Sequence, residues 1–205
     1  MRMISETLRP LGKIIRLQLQ RSTLTLGERP NRYYDPAALM SVNELILTPQ
    51  GASARLSDGE LVMDIHHADH PHSLNDGGEN DLSLNFTSHY LAIRERYGSG
   101  DHLYNGCGGE NILVEMDGRV TLETLSGGMA VRVQPGGLAW LRRVVVAHPC
   151  QPFSKYVSRS TEVEMVKSTL QFLDNGTRGF YCALAHESAV TIAVGDEVGV
   201  APTPS

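Results

Sequence analysis

Along the stretch GKIIRLQLQR, Ile15, Leu17 and Leu19 alternate with Arg16, Gln18 and Gln20. This period of two predicts a half-buried strand with the isoleucine and leucines on its inner face. Further on, ELILT reads as a strand, and ASARLSDGELVMDI reads as two extended runs folded about Asp58-Gly59. NILVEMDGRVTLETL repeats that logic around Asp117-Gly118, predicting a second hairpin. MAVRVQ, WLRRVVVA, GFYCALA, AVTIAV and EVGVA supply further short strands between Gly, Pro or His breaks. Asp35-Pro36 predicts an N-cap and first residue for a short turn over residues 37–40.

Only two segments carry a helical period. Phe86, Tyr90, Ile93 and Tyr97 form one stripe, which Gly98 stops. Thr161 and Glu164 have the spacing of a capping box, Val166, Leu170 and Leu173 make the stripe behind it, and Asn175-Gly176 closes it. About ten short strands with two helices call for a sheet that closes or curves strongly, because closure removes exposed edges. The expected fold is therefore mainly β, a barrel with a few peripheral helices, and residues 201–205 are expected to fray.

At 205 residues the chain suits one domain with a full core. A formal charge of −5 gives no general attraction to nucleic acid or an anionic membrane. No stretch approaches the roughly 20 apolar residues of a membrane span. The first residues, MRMISETLRPLG, lack the apolar core of a signal peptide. Cys107, Cys150 and Cys182 are odd in number and too far apart in sequence for a C-x-x-C motif. Free thiols in a reducing cytoplasm are the expectation.

Cys150 stands where an apolar run, VVVA, has just ended in His148 and Pro149. A thiol acts as nucleophile or metal ligand only as thiolate, which positive neighbours favour. His148, Lys155, Arg142 and Arg143 all lie within a few residues. Pro149 and Pro152 are expected to stiffen a loop that presents the thiol, although an inert cysteine after a proline would look the same. In CGGENILVE the paired glycines Gly108 and Gly109 would let backbone N–H groups approach an anion, with Glu110 and Asn111 adding polar contacts; the alternative is a tight turn into a strand. The four histidines of DIHHADHPHS include a pair, His66 and His70, at the spacing of a helical metal site. Pro71 disfavours helix there, and no third ligand stands at a recognised spacing, so polar residues near a pocket are the expectation. Arg178 in NGTRGFYC could fork onto a phosphate or carboxylate, or simply face solvent. Cys182 sits inside an alternating strand and should pack in the core. Gly-Gly-Glu-Asn occurs a second time at Gly77–Asn80, too short a match for a structural repeat.

The order of these elements resembles the MOSC family, named for the C-terminal domain of molybdenum-cofactor sulfurases. Gly109-Glu110-Asn111 is similar to its GEN turn and Pro149-Cys150 to its cysteine. Arg178-Gly179 followed by Phe180 and Tyr181 is similar to its arginine-glycine-aromatic segment, and Gly195-Asp196 to its closing turn. His70 to Ser73 sits where many members carry a histidine segment. The resemblance runs from about residue 12 to 200 and implies a single MOSC domain over 1–205, with a barrel of the pyruvate-kinase type. It implies a cysteine that holds sulfane sulfur as a persulfide, or that binds molybdenum of the pterin cofactor. In the second case Cys150 is the metal ligand, Gly108 to Asn111 and Arg178 hold the pterin and its phosphate, and His70, His72 and His148 lie close by. A small oxidoreductase acting on N-hydroxylated or N-oxide compounds is then expected, served by a redox partner. The alternatives are a sulfur carrier fed by a donor protein, and a non-catalytic small-ligand barrel. Ala147 and His148 stand where some members have an arginine. No pyridoxal phosphate is expected in a chain without an aminotransferase-like domain.

Overall fold

The computed structural model describes residues 8–75, 77–134 and 136–201. The strands are β1 (Arg9–Gln20), β2 (Thr25–Leu26), β3 (Tyr33–Tyr34), β4 (Leu39–Val42), β5 (Glu44–Thr48), β6 (Gly51–Arg55) and β7 (Leu61–Met63). Then come β8 (Leu82–Phe86), helix α1 (Thr87–Tyr97), β9 (Ile112–Glu115), β10 (Met129–Arg132) and β11 (Leu138–Val146). Helices α2 (Gln151–Ser158) and α3 (Val163–Asp174) precede β12 (Phe180–Leu184), β13 (Val190–Ala193) and β14 (Glu197–Val200). Of the tail expected to fray, 201–205, Ala201 donates its N–H to the Gly128 carbonyl at 3.0 Å, and 202–205 lie outside the described residues.

Seven strands close a mixed barrel in the order β14-β10-β11-β12-β8-β9-β1, and β1 returns to β14. Only β8 and β9 run parallel; the other barrel pairs are antiparallel. A separate sheet, β13-β5-β6-β7, lies beside the barrel, with its Leu45, Leu47, Ala52, Ala54 and Ile192 in the same apolar core. Strand β1 makes closure possible because it serves three partners along its length: β14 first, then β9, then β4. Two bulges turn it between them, at Pro10/Gly12 and at Ile14/Arg16. At the first, a Cβ on Gly12 would lie 1.8 Å from the Glu115 carbonyl oxygen, so only glycine fits.

The second bulge corrects the sequence reading of β1. Ile14, Leu17 and Leu19 face the core, whereas Ile15 is 39% exposed, because the extra residue shifts the phase of the alternation. Three other readings change. Residues 119–125 form no hairpin partner for β9; Val120 is buried and Glu123–Leu125 is one 3-10 turn. Strand β8 was not expected, since all five of its residues are buried and it shows no alternation. Helix α2 begins directly after Cys150, where a stiff loop was expected. The hairpin at Asp58-Gly59, the Asp35 cap and the Gly98 stop of α1 are as expected, but the capped 3-10 turn ends at Ala38, and Leu39 and Met40 belong to β4. Helix α3 begins two residues after Thr161, and Glu162 at its cap makes no side-chain capping bond.

The helices cover one side of the barrel through a second apolar cluster. Tyr90 and Ile93 of α1, Phe153 and Val157 of α2, and Leu173 of α3 pack there with Tyr34, Cys107 and Leu113. No described helix is long and apolar enough to cross a membrane. His89 on α1 is buried between Asn85, 2.8 Å from its Nδ1, and Val120. Burial pushes its imidazole down to about 4, against the Val120 carbonyl, which raises it. The unfolded chain takes up this proton below about pH 6.5, and the folded chain does not until about 4. The contribution is thus complete above 6.5 and is lost as pH falls towards 4, by at most about 3 kcal/mol. Urea titrations between pH 7 and 4.5 should give a steeper loss for the parent than for His89→Gln; equal slopes would remove His89 from the account.

Candidate functional site

Strand β11 ends at Val146, and the chain stays on the barrel for one more residue: the Ala147 N–H donates to the Gly179 carbonyl at 3.0 Å. Beyond it, His148 is exposed and its Nδ1 lies 2.5 Å from Asp174 Oδ1 at the end of α3. Cys150 is the N-cap of α2, extended at φ −96 and ψ 159, with its carbonyl accepting from the Ser154 N–H at 3.0 Å. Pro152 is tolerated in the first turn because its missing N–H would have found no partner within the helix. The Cys150 thiol is free and exposed at this N-terminus.

The two other thiols are of a different kind. Burial pushes Cys107 up to about 12, with Glu110 adding to the rise, and burial pushes Cys182 to about 12 as well. Cys182 packs in the barrel core as expected. Cys150 is therefore the thiol placed to react or to bind.

Arg178 lies beneath the first turn of α2. Its guanidinium carbon is 4.8 Å from the centre of the Phe153 ring, and its Nη2 donates to the Gly108 carbonyl at 2.5 Å. The turn that carries it is fixed on both sides. Its own N–H bonds the Leu173 carbonyl at 2.9 Å, and Gly179, at φ +106, sits where a Cβ would come within 2.5 Å of the Leu84 oxygen. The side chain is half-buried. Desolvation works against its charge, and among the groups that oppose that penalty Glu110 is the one carboxylate.

The Gly108–Asn111 turn joins this site from the barrel side, wholly buried. Tyr90 Oη accepts from the Gly108 N–H at 2.8 Å and donates to the Glu110 carboxylate, whose oxygens lie 2.9 and 2.8 Å away. Desolvation raises the Glu110 carboxyl, and Arg178 is the main group opposing that rise. The Gly109 N–H bonds the Gly106 carbonyl at 3.0 Å. Asn111 accepts from Ser83 and donates to Gln18 and to the buried Asp64. Sequence reasoning missed this inner layer: nothing in the pattern marks that Tyr90 reaches Glu110, or that Asp64 in the histidine segment receives Asn111.

Of the residues singled out in the sequence, the fold brings Cys150, Arg178, Gly108, Gly109 and Glu110 to one end of the barrel. Asn111 belongs to the adjoining buried network, and His148 stands on the rim. His70 and His72 lie in consecutive turns and bond locally: His72 N–H to His70 Nδ1 at 3.1 Å and His70 N–H to the His67 carbonyl at 2.9 Å. Among the described residues no group of three His, Cys, Asp or Glu side chains converges to hold a metal ion.

No family model matches the sequence, and a comparison with curated proteins finds no match. Solved structures share the fold. The YUAD protein from Bacillus subtilis is 12% identical, with a TM-score of 0.52 over 95% of this chain and 100% of that one. A hypothetical protein of known crystal structure is 14% identical, with a TM-score of 0.56 over 95% of this chain and 69% of its own. YiiM from Geobacillus stearothermophilus is 15% identical, at a TM-score of 0.48, over 93% of this chain and 75% of its own. At such identities the first two likenesses are of fold alone, and the closed seven-strand barrel with peripheral helices is a barrel-like MOSC-type architecture.

Proposed function

We propose that this chain binds a molybdenum cofactor through Cys150 and serves as a small oxidoreductase towards N-hydroxylated or N-oxide compounds. The observation that carries this reading is one exposed thiol at the N-terminus of α2, the helix whose Phe153 ring lies against the Arg178 guanidinium. A soft sulfur ligand beside a fixed cation suits a thiophilic metal carried by an anionic organic group. A metal delivered within an organic cofactor needs fewer protein ligands than a bare ion, so a single cysteine is a sufficient donor set. Cys150 would be the ligand, Arg178 would hold an anionic group of the cofactor, and His148 would stand at the rim as a proton carrier. The Gly108–Glu110 turn would act from behind, fixing Arg178 through the Gly108 carbonyl. The cofactor would supply two-electron reduction, with electrons from a separate redox protein. His70 and His72 remain candidates for the outer wall.

A second reading, a sulfur carrier with a persulfide on Cys150, is favoured by one specific observation. The N–H groups of Gly108 and Gly109 are already bonded inside the protein, which reduces what they can offer to a large cofactor. A persulfide needs only an accessible thiolate that takes sulfane sulfur from a donor protein's persulfide, the donor cysteine leaving as thiolate. Metal and pterin analysis after anaerobic purification from molybdenum-replete cells separates the two. Near-stoichiometric molybdenum supports the first reading. No molybdenum, with a control molybdoenzyme loaded in the same cells, overturns it and turns attention to cyanolysable sulfur.

A further inference from the structure

The first Gly-Gly-Glu-Asn stretch, Gly77–Asn80, meets the Cys150 site at one shared residue, His148. Its Glu79 and Asn80 line a cleft of about 720 Å³, whose other walls are Arg143, Val145, Val146 and His148 from the β11 segment and Tyr181 from β12. That volume is within the usual range for small-molecule sites. The valines and the tyrosine ring give it an apolar floor, and Arg143 and Glu79 give it two opposite charges.

Arg143 carries the argument. It sits at φ +51, a left-handed backbone rare for a residue other than glycine, inside the β11 bulge between Arg142 and Val145. Strain of this kind persists where something else requires the side chain. Its own contacts supply no such requirement. The side chain is 52% exposed, and its one ion pair, with Asp81 Oδ2, is at 4.0 Å, beyond hydrogen-bond distance. Asp81 is buried and accepts from Asn75 Nδ2 at 2.6 Å. Asn75 also accepts from the Gly78 N–H at 2.7 Å and donates to the His66 carbonyl at 3.0 Å. The loop wall is thus held without Arg143, and among the described residues the arginine's fork of donors makes no hydrogen bond.

We propose that this cleft binds a small organic molecule with a flat apolar body, a carboxylate that Arg143 receives and an amino group that Glu79 receives. The inference goes beyond the Cys150 reading and does not depend on it, since binding here needs no thiol.

A titration with 4-aminobenzoate, followed by amide NMR on the whole chain, tests it. The expected result is saturable shifts at residues 77–80 and 143–146, with benzoate and aniline each weaker by at least about threefold. Arg143→Gly removes the guanidinium while giving the backbone a residue at ease with positive φ. It should therefore raise the melting temperature and weaken 4-aminobenzoate by at least about tenfold. Glu79→Gln should abolish the advantage of 4-aminobenzoate over benzoate, and Cys150→Ser should leave both affinities unchanged. Absence of saturable shifts up to about 10 mM probe, or unchanged affinity in Arg143→Gly, overturns the proposal. So does a lower melting temperature in that variant, which would make Arg143 a structural brace for Asp81.

Discussion

Cys150→Ser is expected to lower bound molybdenum or cyanolysable sulfur by at least about tenfold while leaving the protein folded. A serine hydroxyl is a hard ligand and stays protonated at neutral pH, so it replaces the thiolate neither at a soft metal nor as a sulfur acceptor. Stability should hold or rise slightly, because Cys150 is an N-cap without a side-chain capping bond and serine is among the preferred N-cap residues. No other thiol can take over. Cys107 and Cys182 are buried, and burial holds both near about 12. Metal analysis and cyanolysis on the same preparation, with a thermal melt beside them, read all three quantities. A variant that retains the parent's molybdenum and sulfur would remove Cys150 from the site altogether. Loss of loading together with unfolding is not expected at an exposed cap.

The barrel was legible where strands alternate and turns carry Asp-Gly, as at Asp58-Gly59. It was illegible at β8, whose five buried residues erase the period of two. In β1 a bulge shifted the phase of the alternation, a change that only the partner strands reveal. Helix α2 was hidden because its first turn holds a proline and its length is only eight residues. The outer site was readable as an unusual cysteine and a glycine-flanked arginine. Its inner layer was not, because the Tyr90–Glu110 contact joins residues 20 apart and the Asn111–Asp64 contact residues 47 apart. Such bonds are set by the closure of the barrel and leave no local pattern.

That inner layer has a testable weight. Asn111 Oδ1 accepts from the Ser83 N–H at 2.9 Å, and its Nδ2 donates to the Gln18 carbonyl at 3.2 Å and to Asp64 Oδ2 at 2.9 Å. Asp64 is fully buried and also receives the Gln20 N–H at 2.7 Å, the His66 N–H at 2.9 Å and His66 Nδ1 at 2.9 Å. Asn111→Ala strips one donor from a buried carboxylate and leaves Ser83 and Gln18 backbone groups unpaired, which should cost about 4 kcal/mol or more. Asn111→Asp keeps the shape but sets a second carboxylate against Asp64. The two then compete for a single proton, so this variant should regain stability relative to the parent as pH falls. Denaturant titrations at pH 7 and 5 would show both effects. A near-neutral Asn111→Ala that nonetheless loses cofactor would instead make Asn111 a ligand-facing residue. The bonds it already makes inside the barrel argue for the structural role, with the asparagine holding the glycine turn on which Arg178 rests.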